Sequence, residues 1–147
     1  MITFYTIGFT KKSAEQFFSL LRDNGVKQLV DVRISNSSQL AGFAKGKDVE
    51  FFVKEICHIP YKHITDFAPT KDLLDKWHKK EVTWKDYDEI YTALLKERNI
   101  LRKHDIKQFD GSCFLCSEDT PEQCHRRLLA EYLQKHSKET VQIVHLI

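Results

Sequence analysis

The residues richest in chemistry gather near the C-terminus, in Leu115-Cys116-Ser117-Glu118-Asp119-Thr120-Pro121-Glu122-Gln123-Cys124-His125-Arg126-Arg127. Thr120-Pro121-Glu122-Gln123 reads as a helix start, with threonine at the N-cap, proline at the first helical position and glutamine at the third. Cys124 and His125 then fall in the first turns. A helix N-terminus offers free N–H groups and a positive dipole end, and His125, Arg126 and Arg127 add to that field. A thiol in such a place is driven toward thiolate, so Cys124 is a candidate nucleophile and Arg126 a candidate anion-binding group. The plainer alternative packs Cys124 against a sheet and leaves the arginines as surface charges. Glu118 and Asp119 could serve as general bases or simply as acids that favour a helix N-terminus. His125 and His63 are candidate proton carriers, with a satisfied strand histidine as the plain reading of His63.

Cys113-x2-Cys116-x7-Cys124-His125 also admits a metal reading. Against it, Phe114-Leu115 replaces the turn residues a zinc ribbon needs, and Ser112 to Cys116 looks like a buried strand. No metal or cofactor is expected. A metal or redox site on Cys116 and Cys124 stays as an alternative, and Cys116 otherwise counts among the substrate-binding candidates.

Asp31 stands inside the apolar run Leu29-Val30-Asp31-Val32. A buried carboxylate needs partners, and Arg33, two residues on, shares its face in an extended strand. The two form either a fixed structural ion pair or an arginine held ready for an anionic substrate. Residues 33–47 are polar, small and glycine-dotted. A loop of that length is usually functional or mobile, which makes Phe43 and Lys45 candidates to close over a ligand.

These residues need elements to position them. Ile2 to Ile7 forms a β-rich run closed by Gly8. Ser13 caps a helix carrying Phe17, Phe18, Leu20 and Leu21, stopped by Asn24-Gly25. Gln28 to Val32 is a second strand, so the opening is a βαβ unit. Asp48 to Cys57 looks helical, and Pro60 to Ile64 forms a third strand. Residues 71–104 give two helices, the second opened by Thr83-Trp84-Lys85-Asp86, with aromatics at core spacing. Ser112 to Cys116 is the fourth strand, and Val141 to His145 the last. The expected fold is α/β and three-layered. Its sheet is mostly parallel, of about five strands, with helices on both faces and a helical insertion between strands three and four. In such a sheet ligands bind beyond the carboxyl ends of the strands. Gly8, Asp31, Arg33, His63, Cys116 and Glu118 all lie near those ends.

The 147 residues suit one domain over 1–147, with 41% hydrophobic and 30% charged residues and a net charge of +2. The aromatic content argues against disorder, and no apolar run is long enough to span a membrane. The opening Met1-Ile2-Thr3-Phe4 lacks the basic flank of a signal peptide, so a cytoplasmic protein with reduced thiols is expected. The low net charge opposes a general hold on nucleic acid.

Tyr5-Thr6-Ile7-Gly8, Val30-Asp31-Val32-Arg33 and Cys116-x-Glu118-x2-Pro121-x2-Cys124-His125-Arg126 together resemble the DUF488 family of small α/β proteins of unknown function. Ser38-Gln39, Gly42-Phe43-Ala44-Lys45 and Ala68-Pro69-Thr70 match one branch of it. The resemblance supports the fold and the location of the site and brings no activity. Many members carry histidine after T-I-G, where this chain has Phe9. The leading expectation is an enzyme or ligand-binding domain for a small anionic substrate, phosphate-bearing or nucleotide-like. A nucleic-acid module using Arg98, Arg102, Lys103, Lys107, Arg126 and Arg127 is the rival.

Overall fold

The computed structural model describes residues 1–37, 42–118 and 120–147. Five strands, β1 (Ile2–Gly8), β2 (Gln28–Asp31), β3 (Tyr61–His63), β4 (Ser112–Cys116) and β5 (Val141–Leu146), form one sheet in the order β3-β2-β4-β1-β5. Every pairing is parallel. The helices are α1 (Ala14–Asp23), α2 (Gly46–Phe52), α3 (Lys71–His78), α4 (Trp84–Glu97), α5 (Ile100–Lys103) and α6 (His125–His136). The α/β fold is as expected, with the sheet wholly parallel and α3 to α5 inserted between β3 and β4.

The period of two along each strand separates two cores. Phe4, Val30, Phe114 and Cys116 face α3, α4 and α6, whose Leu73, Tyr87, Tyr91, Leu95, Leu128 and Leu129 complete that layer. Ile7, Leu29, Cys113 and Leu115 face the other way, against Phe17, Phe18 and Leu21 of α1 and Val49 of α2. Cys113 and Cys116 therefore lie on opposite faces of the sheet. All five residues of β4 are buried, as befits a central strand with a neighbour on each side.

Local chemistry sets the element ends. The Ser13 hydroxyl accepts from the Gln16 N–H, and Gly25 takes the positive φ of +67° just after α1. Thr83 and Asp86 close a reciprocal capping box on α4. Asp48 to Cys57 is helical but not uniform: α2 ends at Phe52 and a π-helical turn, Val53–Cys57, continues it.

One expected boundary moves. Thr120 does not cap α6; the helix starts at His125 with Cys124 as its N-cap. The Thr120 side chain bonds to Glu122 instead, a local turn that competes with helix entry. Arginines of the first helical turn hold the segment from outside. Arg127 donates from Nε to the Pro121 carbonyl (3.1 Å) and from Nη2 to that of Glu122 (2.8 Å), and Arg126 donates from Nη1 to that of Glu118 (2.6 Å).

Parallel pairing brings all carboxyl ends to one edge. Gly8 lies level with Cys116, and Asp31 with both Leu115 and His63. The chain leaving β2 runs on to α2 on one face, whereas that leaving β4 runs to α6 on the other. A crevice opens between these two neighbouring strands, where ligands of open parallel sheets bind.

Candidate active site

A cavity of about 230 Å³ occupies this crevice. Cys116, Cys124, His125 and Arg33 line it together with Phe9, Tyr87, Trp77 of α3 and the exposed Glu118. Three aromatic rings, Phe9, Trp77 and Tyr87, form much of its wall, and the thiols, imidazole, guanidinium and carboxylate of Cys116, Cys124, His125, Arg33 and Glu118 are among its polar groups.

Arg33 is held from three directions. Its Nε donates to Asp31 Oδ1 at 2.8 Å and its Nη2 to Asp31 Oδ2 at 2.7 Å, a two-pronged ion pair between groups 6% and 0% exposed. Nη2 also donates to the Ala44 carbonyl at 2.7 Å, and the guanidinium lies 5.3 Å from the centre of the Phe9 ring. Burial opposes its charge, but the bond to Asp31 and that carboxylate's field outweigh it, so the Arg33 pKa is raised. Asp31 also accepts from the Tyr61 hydroxyl at 2.6 Å. One corner of the fork, Nη1, is buried and has no hydrogen-bond partner among the described residues. The pair is therefore both structural and unfinished, and its unfinished corner belongs to a residue that lines the cavity.

The thiols differ sharply. Cys116 ends β4, where its sulfur accepts from the Cys124 thiol and from the backbone N–H groups of Ser117 and Glu118. The Cys124 bond is the largest influence; burial works against it, and the Arg126 charge adds to it. The net effect holds the Cys116 pKa below the ordinary thiol range. Cys124 goes the other way: burial, then its bond to Cys116 and the charge there, push its pKa well up. Cys124, expected as a nucleophile at a helix start, stands at the N-cap of α6, buried like Cys116 and beside it in the cavity.

His125 sits beside both. Its Nε2–H donates to the Val32 carbonyl at 2.7 Å, which leaves Nδ1 as the acceptor, 3.5 Å from the Cys116 sulfur. Tyr91 packs edge-on against its ring at 5.5 Å. The donor atoms of Cys116, Cys124 and His125 all lie within 4.8 Å of one another. Three such donors, with the histidine oriented by a carbonyl on its far nitrogen, could also hold one thiophilic metal ion.

Other expected site residues take different places. Gly8 contributes closeness: a Cβ built there would overlap the Glu118 carbonyl and come to 3.0 Å from Arg126 Nη1. His63 does not line the cavity; its Nε2–H donates to the Arg33 carbonyl at 2.6 Å and so steadies the backbone behind the guanidinium. Arg126 is fully buried and binds the Glu118 carbonyl, which places it under the site. Phe43 packs on Phe17 and Phe18 in the opposite core and lines a separate groove there, and Lys45 is the N-cap of α2; neither closes over the cavity. Asp119 and residues 38–41, including Ser38-Gln39, lie outside the described residues. Of the basic residues, Arg98 binds the carbonyls of Asp66 and Ala68, Arg127 pairs with Glu131, and Lys107 with Glu139. Trp77, Tyr87 and His78 also line the cavity and were not legible as site residues, because their spacing fits core packing equally well.

The sequence profile of DUF488, a domain of unknown function, matches residues 13–133. The chain belongs to the DUF488 family. The matched stretch holds Asp31, Arg33 and the whole Cys116 to Arg126 block, while the T-I-G turn before Phe9 precedes it. No curated protein and no solved structure matches this DUF488 chain significantly. Among its described residues, no helix is long and apolar enough to cross a membrane.

Proposed function

We propose that this DUF488 protein is a thiol enzyme acting on a small anionic substrate seated in the cavity, with Arg33 binding the anionic group and Cys116 as nucleophile. The observation that carries this reading is the buried, partnerless Nη1 of Arg33 in a cavity that Cys116 also lines. An orphaned charged donor costs free energy in the empty site and recovers it when an anion arrives. The acidic Cys116 thiol supports the second half of the reading.

In the step proposed, the Cys116 proton passes to His125 Nδ1. The sulfur electron pair forms the bond to the substrate's electrophilic atom as the bond to the leaving group breaks. The leaving group takes the proton back from Nδ1. The Ser117 and Glu118 N–H groups stabilise the thiolate before attack and when it is released. The cavity's size favours a compact substrate, and its aromatic walls favour one with an apolar body. The cytoplasm, where thiols stay reduced, suits this chemistry.

Two alkylating reagents test the reading. Iodoacetate is anionic, iodoacetamide is neutral, and each transfers its carbon to sulfur with loss of iodide. Iodoacetate is expected to label Cys116 faster than iodoacetamide does. Arg33→Gln should abolish that preference while leaving the neutral reagent within about two-fold of its original rate. Cys116→Ser should remove the fast site, and Cys124→Ser should keep it. An iodoacetate preference unaltered in Arg33→Gln, or a fast thiol lost only in Cys124→Ser, would refute it.

A further inference from the structure

We propose that Cys116 and Cys124 are a peroxide-reactive dithiol, in which Cys116 takes the oxygen and Cys124 resolves the product to a disulfide. This goes beyond the function above, since it needs no bound anion. The geometry carries it. The two sulfurs lie within 4.8 Å of each other and line one cavity, so a reagent that reaches one meets the other. Both sit with the His125 ring nitrogen inside a 4.8 Å cluster. Cys116 ends a strand, but Cys124 stands at a helix N-cap with extended backbone and no capping bond from its side chain, so its thiol is not committed to holding the helix. The other two cysteines are out of reach. Cys113 faces the opposite core, and Cys57 lies behind Phe18, its thiol donating to the Phe18 carbonyl at 3.5 Å.

The chemistry is that of a peroxide-sensing pair. The Cys116 proton passes to His125 Nδ1, the thiolate attacks one peroxide oxygen, the O–O bond breaks, and the departing hydroxide takes that proton from Nδ1 to become water. Cys116 is now a sulfenic acid. The Cys124 thiol gives its proton to His125 Nδ1, and its sulfur attacks the Cys116 sulfur. The S–O bond breaks, and the second hydroxide takes the proton from Nδ1 and leaves as water. Two thiols and one hydrogen peroxide give one disulfide and two waters. The disulfide would remove the nucleophile until a thiol reductant restored it.

The test treats the reduced full-length protein with stoichiometric hydrogen peroxide and maps the products by mass spectrometry. Loss of two hydrogens and a Cys116–Cys124 cross-link are expected in the unaltered chain, reversed by dithiothreitol. Cys124→Ser should stop at a sulfenic acid on Cys116 that dimedone traps, and Cys116→Ser should leave Cys124 unoxidised. Oxidation of Cys116 should outpace that of Cys57 by about ten-fold at pH 7, where an ordinary thiol is only a few per cent ionised. A cross-link through Cys57, oxygen adducts without a cross-link, or a pair inert to peroxide would each overturn the proposal. The map on the unaltered chain needs no variant to fold. The two readings fail separately: losing the iodoacetate preference bears on the anion site alone, and a missing Cys116–Cys124 cross-link in the unaltered chain bears on the dithiol alone.

Discussion

Replacing Asp31 with asparagine removes one negative charge and two acceptor sites while barely changing shape. Asp31 is fully buried and accepts four bonds: from the Arg33 backbone N–H (3.1 Å), Arg33 Nε (2.8 Å), Arg33 Nη2 (2.7 Å) and the Tyr61 hydroxyl (2.6 Å). An asparagine oxygen can keep the first two. Its amide then confronts Nη2, donor against donor, and a buried guanidinium is left uncompensated. Breaking a buried pair from one side costs about 3–5 kcal/mol. For a chain of this size that is a fall in Tm of roughly 10 °C. Urea unfolding followed by the fluorescence of Trp77 and Trp84 should show a lower midpoint at an unchanged m value. The exposed pair Arg22–Asp23, at 56% and 67% exposure, is the internal control; Arg22→Ala should cost under about 0.5 kcal/mol. The double variant Asp31→Leu with Arg33→Met should recover much of the loss, because it removes both charges at once. A loss below about 1 kcal/mol in Asp31→Asn would refute the claim that this pair is a desolvated, mutually dependent unit.

Alkali should weaken the fold before it touches most surface groups. Burial raises the pKa of Cys113 and of Cys124, so both stay neutral in the folded protein while an unfolded thiol ionises near pH 8.5. Their contribution is fully present below the unfolded pKa and is lost as pH rises, by about 1.4 kcal/mol per pH unit for each group. Cys116, with its lowered pKa, makes stability rise with pH only below the unfolded value and adds no slope above it. Unfolding free energy should fall above pH 8.5, with a shallower slope in Cys113→Ala; a flat profile to pH 10 would contradict it. Gly8→Ala should cost about 1–3 kcal/mol, since its Cβ meets the Glu118 carbonyl, which is backbone and cannot swing aside. The same displacement pulls the Ser117 and Glu118 N–H groups off Cys116, so the pH profile of Cys116 alkylation should move upward; a normal profile in a destabilised Gly8→Ala protein would separate the cradle from the thiol's acidity.

The strands and most caps were legible because their signals are local. Ser13 and Thr83 cap their helices through side chains three residues from their partners, and the apolar run at 112–116 admits little but a buried strand. The sheet edge that carries the site also followed from the alternation of elements. The α6 start misled because Thr120-Pro121-Glu122-Gln123 satisfies every local rule for a helix entry. What defeats it is the pull of the Arg126 and Arg127 side chains on the loop carbonyls, which no local rule contains. The Asp31–Arg33 pair was legible from its spacing, but the Tyr61 bond to Asp31 depends on strand register. The aromatic wall depends on how α3 and α4 fold back over β4.

Phe9 follows the T-I-G turn, and its surroundings say what a histidine there would cost. The ring is 1% exposed, lines the cavity and lies under the Arg33 guanidinium at 5.3 Å. In Phe9→His the introduced imidazole loses apolar burial and part of the ring–cation attraction, together about 1–3 kcal/mol at pH 8. Burial and the neighbouring guanidinium both disfavour its protonated form, so its folded pKa must fall below the unfolded 6.5. The unfolded chain then binds a proton that the folded one refuses. Stability is retained above the unfolded pKa and lost as pH falls, by about 1.4 kcal/mol per unit below pH 6. Urea unfolding of both proteins at pH 8 and pH 5 measures this directly. A larger deficit at pH 5 means that Arg33 is charged and close in solution, as its ion pair with Asp31 requires. An equal deficit at the two pH values would mean that the imidazole finds a partner or solvent, and the packing of Phe9 beneath Arg33 would then be wrong.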